Sequence, residues 1–210
     1  MAPDKASGYS KVEAKLIRRL LGRPPVALGS HWLIQSLLYM DRTERSFKVL
    51  LDIGLTIAGR FILGVQLSRK LSWTLAFMIA HTMNFLFNGH VWGVLKHYGR
   101  VSQTWDAFTT YVDSMVARVR SEPSLEYAAV YGSLGRDEWQ PSSDLDMRLV
   151  RKTGWYNAAR ACLFALAERT RALFLVFPLD LYVLDSFASL DRMRMDETPV
   201  ILLDVRVSDP

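Results

Sequence analysis

Two hydrophobic rhythms divide the chain. From residue 101 onward, apolar positions come in strand-length blocks or at helical spacing. The run Glu126 to Tyr131 is apolar, partly β-branched and closed by a glycine, as a buried strand should be. Beyond it, Asp144, Asp146 and Arg148 alternate with Leu145, Met147 and Leu149. A strand's period of two turns both carboxylates to one face and the apolar set to the core. Leu179 to Leu184 encloses Asp180 in a third strand, and Val200 to Val205 reads as a fourth. Helices are expected around them. Trp105, Phe108, Val112, Met115, Val116 and Val119 recur at helical spacing until Ser121 and Pro123 stop them, and an alanine- and leucine-rich helix runs from about Tyr156 to Thr170. Residues 101–210 therefore read as an α+β domain, a mixed sheet flanked by helices.

The first hundred residues follow the other rhythm. Lys11 to Leu21 has one apolar helical face ringed by basic residues, and His31 to Met40 is a short apolar stretch. Then come 19 residues from Val49 to Leu67 with two charges, Asp52 and Arg60, and 25 from Leu71 to Leu95 with none. A hydrocarbon core of ~30 Å needs about 20 helical residues, so both runs read as membrane spans. The three-residue link Ser68-Arg69-Lys70 makes them an antiparallel hairpin. Asp52, Thr56 and Arg60 form one polar stripe, and Thr74, His81, Asn84 and Asn88 another. With a turn centred near Arg69, Asp52 is expected near Asn88, Thr56 near Asn84 and Arg60 near His81, away from lipid. Residues 1–100 are thus expected to form a basic helical and membrane-hairpin region. A homo-oligomer built through the hairpin is the companion expectation.

Charge sharpens this division. The net charge of +5 hides 14 basic against 5 acidic residues in the first hundred, and 12 against 16 in the rest. The basic excess accompanies the apolar runs rather than the acidic strands, which favours an anionic membrane over nucleic acid as a partner. Basic residues flanking the hairpin (Arg42, Arg45, Lys48, Lys96, Arg100) outnumber Arg69 and Lys70 at its turn, so both ends are expected on the cytoplasmic side. The single Cys162 allows no internal disulfide and lies in an apolar run, which fits a reducing compartment. The four histidines show no metal-ligand spacing, and no serine joins a histidine and an acid in a hydrolase triad.

The chemistry concentrates around residue 140. Two carboxylates on one strand face repel each other and call for a divalent cation, and hard oxygen donors suit magnesium or manganese. Gly132 leaves the backbone bare, so neighbouring N–H groups and the Ser133 hydroxyl can approach a phosphate. The order Gly132-Ser133, then Ser143-Asp144-Leu145-Asp146, then Leu179-Asp180-Leu181 resembles the signature of the nucleotidyltransferase superfamily that includes polymerase beta and the minimal nucleotidyltransferases. The resemblance covers roughly residues 101–210.

That resemblance implies a magnesium- or manganese-dependent enzyme that moves a nucleoside monophosphate from a nucleoside triphosphate to a membrane-associated or small-molecule acceptor. Asp144 and Asp146 would hold the metal and touch the triphosphate, and Asp180 would complete the metal site and activate the acceptor. Gly132, Ser133 and Arg136 would bind the nucleotide's phosphates. Two alternatives stand beside it: a protein-nucleotidylating enzyme of the antitoxin type, and a non-catalytic nucleotide-binding partner of a membrane glycosyltransferase.

Overall fold

The structure, a computed structural model, describes residues 24–64, 67–192 and 198–207. The expected basic helix at Lys11 to Leu21 lies outside them. Four helices come first: α1 (Pro24–Ile34), α2 (Arg42–Leu63), α3 (Arg69–Phe87) and α4 (Val91–His97). Then follow α5 (Trp105–Arg120), β1 (Leu125–Tyr131), a single turn α6 (Gly132–Gly135), β2 (Leu145–Arg151), α7 (Trp155–Phe174), β3 (Leu179–Leu184), a 3-10 turn (Phe187–Arg192) and β4 (Val200–Asp204). The expected α+β class, with a mixed sheet flanked by helices, is what forms.

The strand order is β3-β2-β1-β4. β1 pairs antiparallel with β2 and β4, while β2 and β3 run parallel. A parallel pair needs a crossover, and α7 supplies it. Strand periodicity then sorts the residues. Leu145, Met147, Leu149, Leu181 and Val183 join Phe108, Met115 and Val119 of α5 and Ala161, Ala165 and Ala172 of α7 in the main core. Each large apolar side chain fully buried there contributes about 1.5–3 kcal/mol. Tyr127, Ala129, Tyr131 and Val150 lie on the opposite face, where Phe187 and Leu190 cover one end. Asp146 and Arg148 share the parity of Val150, and so belong to this less covered face.

The amino-terminal helices close an edge of that sheet. β3 is a terminal strand, and its outward backbone groups need partners. Glu44, in the first turn of α2, accepts from Val183 N–H (2.8 Å), and Arg169 of α7 donates to the Leu181 carbonyl. Glu44 and Arg169 also bond each other and are 3% and 4% exposed as side chains, while Asn88 Oδ1 accepts from Arg169 at 3.1 Å. Two residues further along the chain, Asp185 N–H donates to Asp41 Oδ2 (2.8 Å), which also accepts from the Ser189 hydroxyl (2.5 Å). Lys48 is buried one turn further along α2, against His90 and the Gln35 carbonyl. Burial, reinforced by Arg169, pulls its pKa down to about 6.

Helices α2 and α3 do form the expected antiparallel hairpin, but its register differs by about two turns. His81 Nδ1 lies 2.7 Å from Asp52 Oδ2, Asn84 donates to the Lys48 carbonyl (3.2 Å), and Arg60 sits over the Trp73 ring. The expected Asp52–Asn88 and Arg60–His81 pairings give way because Arg69 and Lys70 are the first turn of α3 rather than its preceding loop. Small residues let the two helices approach: Gly59 lies against Ala76, and Ser72, Ala76 and Ala80 are buried.

The spanning hairpin is corrected. Among the described residues, no helix is long and apolar enough to cross a membrane. The run Leu71 to Leu95 is not one helix. It stops at Phe87, turns through Gly89 at φ +75° and restarts at Val91. Helix α2 begins seven residues before its apolar run and takes in Glu44 and Lys48, whose polar ends are bonded to the β3 backbone and to His90, just before α4. Much of the hairpin's outer surface remains apolar and exposed, including Leu50, Ile53, Phe61, Ile62, Trp73 and Ile79.

Candidate active site

β1 runs into the Gly132 turn alongside the start of β2. Antiparallel register sets Tyr131 opposite Asp146, so the glycine-serine step falls next to the second aspartate of the doublet. Gly132 has φ +71°, and a Cβ there would stand 2.1 Å from Asp146 Oδ2. Only glycine lets the carboxylate lie against this backbone. The Ser133 hydroxyl oxygen is shielded from solvent and makes no hydrogen bond among the described residues. A buried hydroxyl without a partner carries a desolvation cost, which an incoming acceptor oxygen removes.

The third carboxylate arrives by the parallel pairing of β2 with β3, which sets Asp180 beside Asp146. Asp144, Asp146 and Asp180 therefore gather at one end of one face. Burial, then the charges of Asp144 and Asp180, push the Asp146 pKa up to about 7, against the opposing pull of Arg148 and Lys96. Carboxylates so crowded favour either a proton or a cation.

Two cations of the chain already stand there, and the sequence assigned neither of them to the site. Lys96, at the end of α4, donates to Asp144 Oδ1 at 2.5 Å. Arg148 Nη2 donates to Asp180 Oδ2 (3.3 Å), and its Nη1 to the carbonyls of Asp180 (3.1 Å) and Met147 (2.9 Å). Its guanidinium stacks on Tyr182, 4.7 Å from the ring centre. Strand parity already put Arg148 on the acidic face. Lys96 had no such signal, being 48 residues away in sequence.

Arg136 bonds Glu138 of its own loop at 2.9 Å, rather than any of the three aspartates. Asp137, next to it, holds φ +57°. Among the described residues no three Asp, Glu, His or Cys side chains converge closely enough to hold a metal ion. The doublet alone fits a hard dication: Asp144 and Asp146 bring oxygen donors, and Lys96 already places a positive charge against one of them. Family models, curated proteins and solved structures all return no match to this chain.

Proposed function

We propose that the chain is a metal-dependent nucleotidyltransferase, as its resemblance implies. The observation that carries this reading is the Gly132 backbone lying against the Asp146 carboxylate, with the unpaired Ser133 hydroxyl beside it. A phosphate-binding turn and a cation-seeking carboxylate are thereby neighbours. Asp144 and Asp146 would hold Mg2+ or Mn2+, which when bound neutralises charge on the phosphate oxygens. Ser133 and the backbone N–H groups of its turn bind the terminal phosphates. An acceptor oxygen then bonds to the α-phosphorus as the bond to pyrophosphate breaks. The acceptor's proton goes to Asp180, whose side chain is 41% exposed and open to an incoming hydroxyl.

The acceptor belongs, in this proposal, to a membrane surface with the catalytic face on the cytoplasmic side. Between Asp52 and Asp106 there is no acidic residue but five basic ones, over the same segment that exposes the hairpin's apolar side chains. Anionic lipid complements both properties without a spanning helix.

The test incubates the chain with each α-labelled nucleoside triphosphate, Mg2+ or Mn2+, and a membrane extract. Label in the lipid or small-molecule fraction, lost in Asp146→Asn, is the expected result, and label on a protein points to the antitoxin-type reaction. A chain that binds no triphosphate with Mn2+ present sinks the enzymatic and the scaffold readings together. Binding without any labelled product leaves the scaffold. Vesicles separate the second proposal: the chain should float with phosphatidylglycerol and not with phosphatidylcholine, and failure on both refutes the membrane site.

A further inference from the structure

The two basic residues in the site are held in different ways. Lys96 reaches Asp144 from another helix, on a four-carbon stem, through a single hydrogen bond, and its side chain is 40% exposed. Such a contact is easily exchanged for a stronger one. Arg148 belongs to β2 itself. It is bonded to Asp180 Oδ2 and to the carbonyls of Asp180 and Met147, lies over the Tyr182 ring, and is 11% exposed. Moving it would leave a carboxylate and two carbonyls without their donor and put a guanidinium elsewhere in a buried face, which is costly. A guanidinium also keeps its proton throughout the working range of pH.

We infer that Arg148 supplies, at Asp180, the positive charge that a second divalent cation would otherwise bring, so that this site takes one cation and not two. The inference rests on the nucleotidyl-transfer reading. Asp144 and Asp146 would hold the one cation, and Lys96, displaced from Asp144, would be free to meet the triphosphate. At Asp180 a dication would meet a fixed guanidinium only one hydrogen bond away, and like charges at that range repel. Arg148 acts through Asp180: it holds that carboxylate turned toward the acceptor, and is a positioning residue.

The full chain, saturated with a triphosphate analogue whose α–β bridge is not hydrolysable, is titrated with Mn2+ and followed by electron paramagnetic resonance. One bound Mn2+ per chain, with the spectrum of an isolated ion, is the expected result. Two bound ions with exchange-coupled spectra overturn the inference while leaving nucleotidyl transfer standing. A chain that binds neither analogue nor Mn2+ fails at the earlier step, and the outcomes are distinct. Arg148→Gln frees Asp180 and should take up a second Mn2+ at least about tenfold more tightly than wild type, equal to the ~1.4 kcal/mol per decade of affinity. A folded Arg148→Gln with an unchanged second affinity also overturns it. Should that variant not fold, the wild-type count decides alone.

Discussion

Replacing Glu44 by alanine tests how the amino-terminal helices are joined to the sheet. The carboxylate bonds Arg169 and the Val183 N–H in a place where both charged side chains are under 5% exposed. Removing it leaves a guanidinium buried with only the Asn88 and Leu181 oxygens as partners. Breaking a buried ion pair on one side costs about 3–5 kcal/mol. The orphaned N–H of Val183 would add about 1–3 kcal/mol in isolation, but the two losses overlap. The expected change is therefore about 4 kcal/mol, a large part of the ~5–15 kcal/mol that holds a domain together. Urea unfolding followed by circular dichroism reads it as a midpoint shift of about 2 M, for a slope near 2 kcal/mol per M. Glu44→Gln keeps an acceptor for Val183 and should lose less. A Glu44→Met, Arg169→Met double variant removes both charges and should be more stable than either single variant. A Glu44→Ala chain within about 1 kcal/mol of wild type would refute the weld, as would a double variant showing simple additivity.

Three further outcomes follow from the geometry. Gly132→Ala forces a side chain into the left-handed region at about 1–2 kcal/mol and drives Asp146 aside; Mn2+-dependent triphosphate affinity should fall roughly 10- to 100-fold by calorimetry. Asp180→Asn should lose about 10²–10⁴-fold in turnover with nucleotide affinity largely kept, and equal loss of both would place Asp180 in the nucleotide site. Lys48 has a folded pKa near 6 against 10.5 when free, so unfolding takes up a proton between those values. Stability should accordingly rise with pH across that window by up to about 1.4 kcal/mol per unit, and Lys48→Met should flatten the rise; a slope unchanged by that substitution refutes the assignment.

Strand parity made much of the sheet legible. Asp144 and Asp146 had to share a face with each other and with Arg148, and Asp180 needed only the parallel pairing of β2 and β3 to join them. What parity could not supply was partners. Arg148 was visible as a residue on the right face, but two of its three bonds depend on a strand 32 residues later. Lys96 comes from a separate helix, and Glu44 meets Arg169 across 125 residues. The hairpin misled for a physical reason. Apolar length is the signal for a membrane span, and it also describes α2 and α3; Lys48, read as a basic flank, and Glu44 beside it are the parts that are buried.

The distance between Glu44 and Val183 also sets a timetable for biosynthesis. Glu44 precedes its backbone partner by 139 residues, and Asp41 precedes Ser189 by 148. At about 5–20 residues per second, a ribosome needs roughly 7–30 s to make β3 after α2 has been made. For most of that interval the hairpin's polar seam can form locally, but Glu44 has neither Arg169 nor the Val183 N–H to bind. The apolar outer faces of α2 and α3 are meanwhile presented to whatever surrounds the nascent chain. The first half must therefore wait for the second, and a chain truncated before β3 would keep a hairpin whose foot has no sheet to stand on.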